Sequence, residues 1–285
     1  MKHLAQYCLL VGLLCCSVAQ AQVEQISDIA PGIEGSDPRY MTVYGKKVVF
    51  QAYEPSIGTE LWEYDGRSTS LIANIHPTAS GSNPSEFTLF DNILVFSAQD
   101  VSGNAEPWLY NGQAVTKITE LRPGSRGSHP SNFTVFQGAL YFTAVDGETG
   151  REIWKYDGST VSQVADLWPG KQGSEPDDLT VFGDQLMFTA LDSINARELW
   201  SYDGTEFTQV TDSFSVHFGA HPDQLTVWKN QLLFVGLNRA APPTGAELWV
   251  YDSTGVHLVA DIIPGNSSAV IRSLMSTTEG VFFTA

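Results

Sequence analysis

Residues 133–176 show the pattern that organises the chain. Phe133-Thr134-Val135-Phe136 is a short apolar run, and Gln137-Gly138 after it is a turn signal. Leu140-Tyr141-Phe142-Thr143-Ala144 is rich in β-formers, and a polar stretch from Asp146 to Arg151 follows. Glu152-Ile153-Trp154-Lys155-Tyr156 alternates polar and apolar with the period of two that a half-buried strand requires. Asp157-Gly158 then reads as a type I′ hairpin turn, Val161 to Asp166 as a fourth strand, and Pro169-Gly170 with Gly173-Ser174-Glu175-Pro176 as a loop to the next unit. Nothing between these runs has helical periodicity. The unit is four short strands joined by turns.

This unit repeats. Trp62, Trp108, Trp154, Trp200 and Trp249 are spaced by 46, 46, 46 and 49 residues. Phe50, Phe96, Phe142, Phe188, Phe234 and Phe283 are spaced by 46 four times and then by 49. Two motifs sharing one period and one insertion predict a repeat architecture, and four strands per 46 residues predict an all-β fold, a β-propeller of about six four-stranded antiparallel blades with the last incomplete. The Phe-bearing strand occurs six times and the Glu-Leu-Trp strand five times. A segment from Val23 to Asp28 matches the fourth strand of a blade and is expected either to help close the ring or to belong to a longer propeller. The Trp and Tyr side chains of the Glu-Leu-Trp strand lie two residues apart on one strand face and are expected to pack between blades. The fifth copy, Tyr251-Asp252-Ser253-Thr254-Gly255, predicts a longer hairpin loop than its sisters.

Residues 60–66, Glu-Leu-Trp-Glu-Tyr-Asp-Gly, and 198–205, Glu-Leu-Trp-Ser-Tyr-Asp-Gly-Thr, recur in register with their sister copies. They resemble the ELWxxDGT repeat of secreted, mostly bacterial proteins. The resemblance covers nearly all of the chain after residue 21. It implies an extracellular propeller and brings no defined activity with it.

The first residues sharpen the cellular context. Lys2 and His3 precede an apolar run at Leu9–Leu14, and Ala19-Gln20-Ala21 has the small-x-small form of a cleavage site. A signal peptide over residues 1–21 is expected, with the propeller domain over 22–285 and a secreted, periplasmic or cell-surface location. All three cysteines, Cys8, Cys15 and Cys16, fall within that segment. The mature chain would have no disulfide, thiolate metal site or cysteine nucleophile. Cleavage removes one lysine and no acid, so the net charge moves from −17 to −18. That balance argues against nucleic acid or an anionic membrane surface as partner, and no later stretch is apolar enough to insert into a membrane.

Candidate chemistry gathers in the loops between the second and third strands. Each begins and ends on an acid: Glu54 to Glu60, Asp100 to Glu106, Asp146 to Glu152 and Asp192 to Glu198, with Asn238 to Glu247 in the fifth unit. Like charges at the two ends of a hairpin repel, so something must compensate. One reading is Ca²⁺, which takes several oxygens in a flexible loop; its ligands would come from Asp100, Asn104, Glu106, Asp146, Glu148, Glu152, Asp192 and Glu198. The other is that the glutamates accept backbone N–H groups, with Arg151 and Arg197 helping locally. The fifth linker departs from the repeat by losing Pro-Gly, and it defines a candidate binding patch of Phe214, His217, Phe218, His221 and Arg239. The chain carries no phosphate loop and no Gly-x-Ser-x-Gly. The expectation is therefore a binding or scaffold propeller that recognises a glycan, protein or matrix ligand through an acidic loop face. The alternative is a propeller enzyme of glycoside hydrolase or lyase type, using carboxylates from different blades.

Overall fold

A computed structural model describes residues 24–124, 126–211, 219–238 and 245–285. Among these residues there is no helix. Four-stranded antiparallel sheets follow one another along the chain. The first is β1 (Arg39–Tyr44), β2 (Lys47–Glu54), β3 (Gly58–Tyr64) and β4 (Thr69–Ala73). The second is β5 (Ser85–Phe90), β6 (Ile93–Gln99), β7 (Ala105–Tyr110) and β8 (Val115–Lys117). The third is β9 (Ser131–Phe136), β10 (Ala139–Val145), β11 (Arg151–Tyr156) and β12 (Val161–Gln163). The fourth is β13 (Asp177–Phe182), β14 (Gln185–Leu191), β15 (Arg197–Tyr202) and β16 (Phe207–Gln209). The fifth is β17 (Asp223–Trp228), β18 (Gln231–Leu237), β19 (Ala246–Asp252) and β20 (Gly255–Ala260), and a two-stranded sheet of β21 (Arg272–Ser276) and β22 (Val281–Thr284) completes the series. First strands meet in order, β1 with β5, β9, β13, β17 and finally β21. This is the blade arrangement of a β-propeller, at the period of the tryptophans.

The core lies between blades. One face of each sheet carries the repeated phenylalanine, and Phe96, Phe142, Phe188 and Phe234 are fully buried. Phe142, Trp154 and Tyr156 of the third sheet pack on Phe90 and Val95 of the second. Phe188 and Tyr202 of the fourth pack on Tyr141 and Ile153 of the third. Phe234 and Trp249 of the fifth pack on Met187 and Leu199 of the fourth. A single blade cannot bury both its faces, so each contributes half of two cores. The indole N–H of Trp108, Trp154 and Trp249 donates to Ala98 O, Ala144 O and Gly236 O in the neighbouring strand.

At the ends of the series this cover is thinner. Phe282 is 56% exposed, and Tyr40, Met41 and Val43 of β1 stay accessible. Ile26 and Ile29 line a cavity over Phe50, Val48 and Tyr64. They sit 46 residues before Ile72 and Ile75, which pack in the next interface. Residues 24–28 nevertheless form no strand.

Two turn expectations are corrected. The Asp157-Gly158 connection is a four-residue loop between Tyr156 and Val161, which pair across β11 and β12. Gly158 has φ +96°, and Asp157 is not among the residues with positive φ. Asp157 Oδ1 instead accepts the N–H groups of Ser159 and Thr160, both at 2.8 Å. These bonds, with the side-chain hydroxyls of Ser159 and Thr160, hold the carboxyl well below the usual range. The primed turn lies in the first hairpin of the blade, between β9 and β10, where Gln137 and Gly138 have φ +47° and +74°. The fifth hairpin is tighter than its sisters, because Asp252 pairs directly with Gly255.

Candidate functional site

The acids at the third-strand ends are inside the fold. Glu60, Glu106, Glu152, Glu198 and Glu247 are buried, each at the start of its Glu-Leu-Trp strand. The linker that leaves the blade wraps back over the glutamate and donates to it. Glu60 accepts Ile75 N, His76 N and Ser82 N, all at 3.0 Å, and Ser82 Oγ at 2.6 Å. Glu106 accepts Leu121 N, Arg122 N and Ser128 Oγ. Glu152 accepts Ser174 N and Ser174 Oγ, both at 2.6 Å. Burial pushes the Glu152 carboxyl up to about 7 against the pull of the Ser174 bonds. In the fourth unit Ala220 replaces the serine, and Thr211 Oγ1 donates to Glu198 in its stead at 2.5 Å. The repeated glutamate is thus the clamp that fixes linker to blade. A buried carboxylate must be hydrogen-bonded in this way.

The acids at the other loop ends are occupied locally. Asp100 Oδ1 accepts Ser102 N and its Oδ2 meets Lys117 Nζ. Asp146 Oδ1 accepts the N–H groups of Glu148 and Thr149, and Asp192 Oδ1 those of Ile194 and Ala196. Among the described residues no group of three His, Cys, Asp or Glu is placed to hold a metal ion. The calcium candidates Asp100, Asn104, Glu106, Asp146, Glu148, Glu152, Asp192 and Glu198 therefore divide into loop caps (Asp100, Asp146 and Asp192), linker clamps (Glu106, Glu152 and Glu198), the exposed Glu148, and Asn104, which is buried with no partner for its Oδ1 among the described residues. The charge conflict at each loop is relieved by backbone donors. Arg151 and Arg197 do not serve the glutamates. Arg151 Nη1 donates to His129 O, Ser131 Oγ and Thr143 Oγ1, and Arg197 Nη1 to Thr189 Oγ1.

A different site emerges where the first strands begin. In β5, β9, β13 and β17 a bulge falls at a polar residue of positive φ: Glu86 (+61°), Asn132 (+57°), Asp178 (+58°) and Gln224 (+58°). Such backbone is costly for a residue with a Cβ. Here the bulge turns a polar side chain towards the next blade. Glu86 Oε2 accepts Asn132 N, Asp178 Oδ2 accepts Leu225 N at 2.7 Å, and Gln224 Oε1 accepts Leu274 N. These clasps link neighbouring blades. The sequence contains a polar residue at this position every 46 residues, from Glu86 to Gln224, but only the bulge explains it.

Between the fourth and fifth sheets the ends of these strands leave a polar cavity of about 500 Å³, lined by Asn132, Asp177, Asp178, Thr189, Arg197, His221, Pro222, Asp223 and Gln224. Asn132 Nδ2 donates to Asp177 Oδ1 at 2.9 Å. Burial, reinforced by the charges of Asp177 and Asp223, raises the Asp178 carboxyl above the usual range despite its bond from Leu225 N. Of the expected binding patch, His221 lines this cavity. Phe214, His217, Phe218 and Arg239 lie outside the described residues.

No protein-family model and no curated protein matches the chain. Solved structures with a similar fold include a chain from a structural and mechanistic analysis of two prolyl endopeptidases, with TM-score 0.56, 12% identity and 86% of this chain covered. The chain spans 39% of that endopeptidase chain. The β-propeller domain of the Trilobed protease from Pyrococcus furiosus matches with TM-score 0.49 and 14% identity, over 78% of this chain and 70% of that one. The BP39L lectin from Burkholderia pseudomallei matches with TM-score 0.44 and 12% identity, over 82% and 72%. At such identities the likeness to the endopeptidase chain establishes the β-propeller fold alone.

Proposed function

We propose that the chain is an extracellular binding propeller of the ELWxxDGT type and that it takes a hydroxyl-rich ligand, a glycan, in the cavity between the fourth and fifth sheets. The observation that carries this reading is the composition of the cavity. Eight of its nine lining residues carry hydrogen-bonding side chains, held by strand ends and interblade clasps. Ligand sites depend on a few polar groups fixed in position, and hydroxyl groups can satisfy carboxylate, amide and guanidinium partners alike. The cavity also adjoins the linker that departs from the repeat, where a ligand site can differ without disturbing the other blades. A glycan-array and saturation-transfer NMR survey of the purified chain tests the reading. Saccharide binding that is weakened by Asp223→Ala is expected; binding unchanged by Asp223→Ala and by Asn132→Ala would overturn the assignment to this cavity.

One observation favours an enzyme instead. Asp178, with its carboxyl above the ordinary range, shares the cavity with Asp177 and Asp223, and a pair of carboxyl groups is what glycoside hydrolysis uses. Because Asp178 already accepts Leu225 N, a clasp is the simpler account of it. Release of reducing ends from bound oligosaccharides, lost in Asp178→Asn, would select the enzyme.

A further inference from the structure

We infer that this cavity recognises a carboxylate-bearing saccharide, a glycan containing uronic acid, and that the Arg197 guanidinium receives the carboxylate. The inference rests on the glycan-binding reading and adds the charge class of the ligand.

Two blades carry an arginine just before the glutamate of the third strand, Arg151 and Arg197; the sister positions hold Thr59, Ala105 and Ala246. The two arginines have different surroundings. Arg151 is engaged from within: Nη1 reaches three oxygens, and Nε lies 3.8 Å from Glu175 Oε2, within ion-pair distance. Glu175 is delivered by the linker, whose Glu175 N donates to Arg151 O. One blade on, the same backbone bond joins His221 N to Arg197 O at 2.9 Å. The residue presented to Arg197 is therefore a histidine where its twin has a carboxylate. Arg197 keeps its bond to Thr189 Oγ1, and among the described residues no carboxylate lies within ion-pair distance of it. A half-buried guanidinium has five donors in a planar fork, and Arg197, which lines the cavity, spends one of its nitrogens on Thr189.

The fork matches a carboxylate in bidentate geometry. Asp177 and Asp223 line the same cavity, and carboxylate oxygens accept hydroxyl protons. These acids disfavour a phosphate, whose second negative charge has no further cation here. A uronate, with one carboxylate on a ring of hydroxyls, satisfies both halves of the site. A peptide C-terminus would bring the carboxylate without the hydroxyls.

The test is calorimetry of the purified chain against trigalacturonate, galactotriose and a tripeptide with a free carboxylate. Arg197→Ala copies what Ala105 and Ala246 already hold, so the fold should tolerate it. His221→Glu reproduces the pairing of Arg151 and fills the receptor from within. Trigalacturonate should bind, galactotriose should bind more weakly, and either variant should reduce trigalacturonate affinity about 10- to 100-fold, the loss of one or two charged hydrogen bonds, with melting curves unchanged. Equal affinity for the neutral and acidic sugars, unaltered in Arg197→Ala, would overturn the carboxylate receptor and leave glycan binding standing. Binding of neither sugar would overturn both readings, and tighter binding of the tripeptide would overturn the saccharide.

Discussion

The close approach of linker to blade can be tested by changing two glycines that share a backbone conformation and differ in surroundings. Gly158 has φ +96°, and a Cβ there would meet nothing within 4 Å. Gly173 has φ +71°, and a Cβ there would lie 2.4 Å from Arg151 N and 2.7 Å from Arg151 O. Gly158→Ala should therefore incur only the left-handed backbone penalty, about 1–2 kcal/mol. Gly173→Ala incurs the same penalty and must also push the linker away from the start of β11. That movement strains the Glu175 N bond to Arg151 O and the two 2.6 Å bonds from Ser174 to Glu152. A backbone bond contributes about 1 kcal/mol and one to a charged acceptor about 1.5–3 kcal/mol. Partial loss of the three brings Gly173→Ala to about 3–5 kcal/mol. Differential scanning calorimetry reads the contrast directly, since a chain of this size loses about 2–4 °C per kcal/mol. Gly158→Ala should melt a few degrees below the wild type, and Gly173→Ala roughly three times as far below. Equal shifts would refute the claim that contact distance, rather than φ alone, selects glycine at the linker.

Three more outcomes follow from the buried acids. The Glu152 carboxyl is raised in the fold from an ordinary 4.5 to about 7, so the folded state binds its proton more tightly than the unfolded chain. Stability from this group is then greatest below pH 4.5 and falls as pH rises to about 7, by at most about 3 kcal/mol at roughly 1.36 kcal/mol per pH unit. Glu152→Gln cannot titrate, so urea melts at pH 4 and pH 8 should show the wild type losing ground to it; a constant difference would refute the burial argument. Asp178→Asn keeps an acceptor for Leu225 N and removes a carboxyl held above its usual range, so this variant should also gain on the wild type as pH rises. Melting curves in calcium, magnesium and chelator should superimpose, because the loop aspartates are capped by backbone N–H groups and the third-strand glutamates by linker donors; stabilisation by calcium alone, lost in Asp146→Asn with Glu152→Gln, would refute that account.

Much of the fold was legible in the chain itself. The 46-residue spacing of Trp62 to Trp200 and of Phe50 to Phe234 specified four strands per blade, because the period of two within each strand and the repeat between strands are both local properties. The packing of Trp154 and Tyr156 between blades was legible for the same reason: apolar residues two apart on a strand must be covered, and only a neighbouring blade can cover them. Side-chain destinations were not. Glu152 and Asp146 look equivalent as two ends of one acidic loop, yet one is sealed beneath a linker 22 residues away and the other caps its own turn. The direction each carboxylate takes depends on which N–H groups the tertiary fold leaves without partners. Arg151 and Arg197 are identical in local sequence context, each just before the repeated glutamate. Whether a carboxylate meets the guanidinium is decided by the linker residue that a backbone hydrogen bond brings back to it, Glu175 in one blade and His221 in the next. That pairing is a contact across more than 20 residues, set by the blade geometry and absent from any local pattern in the chain.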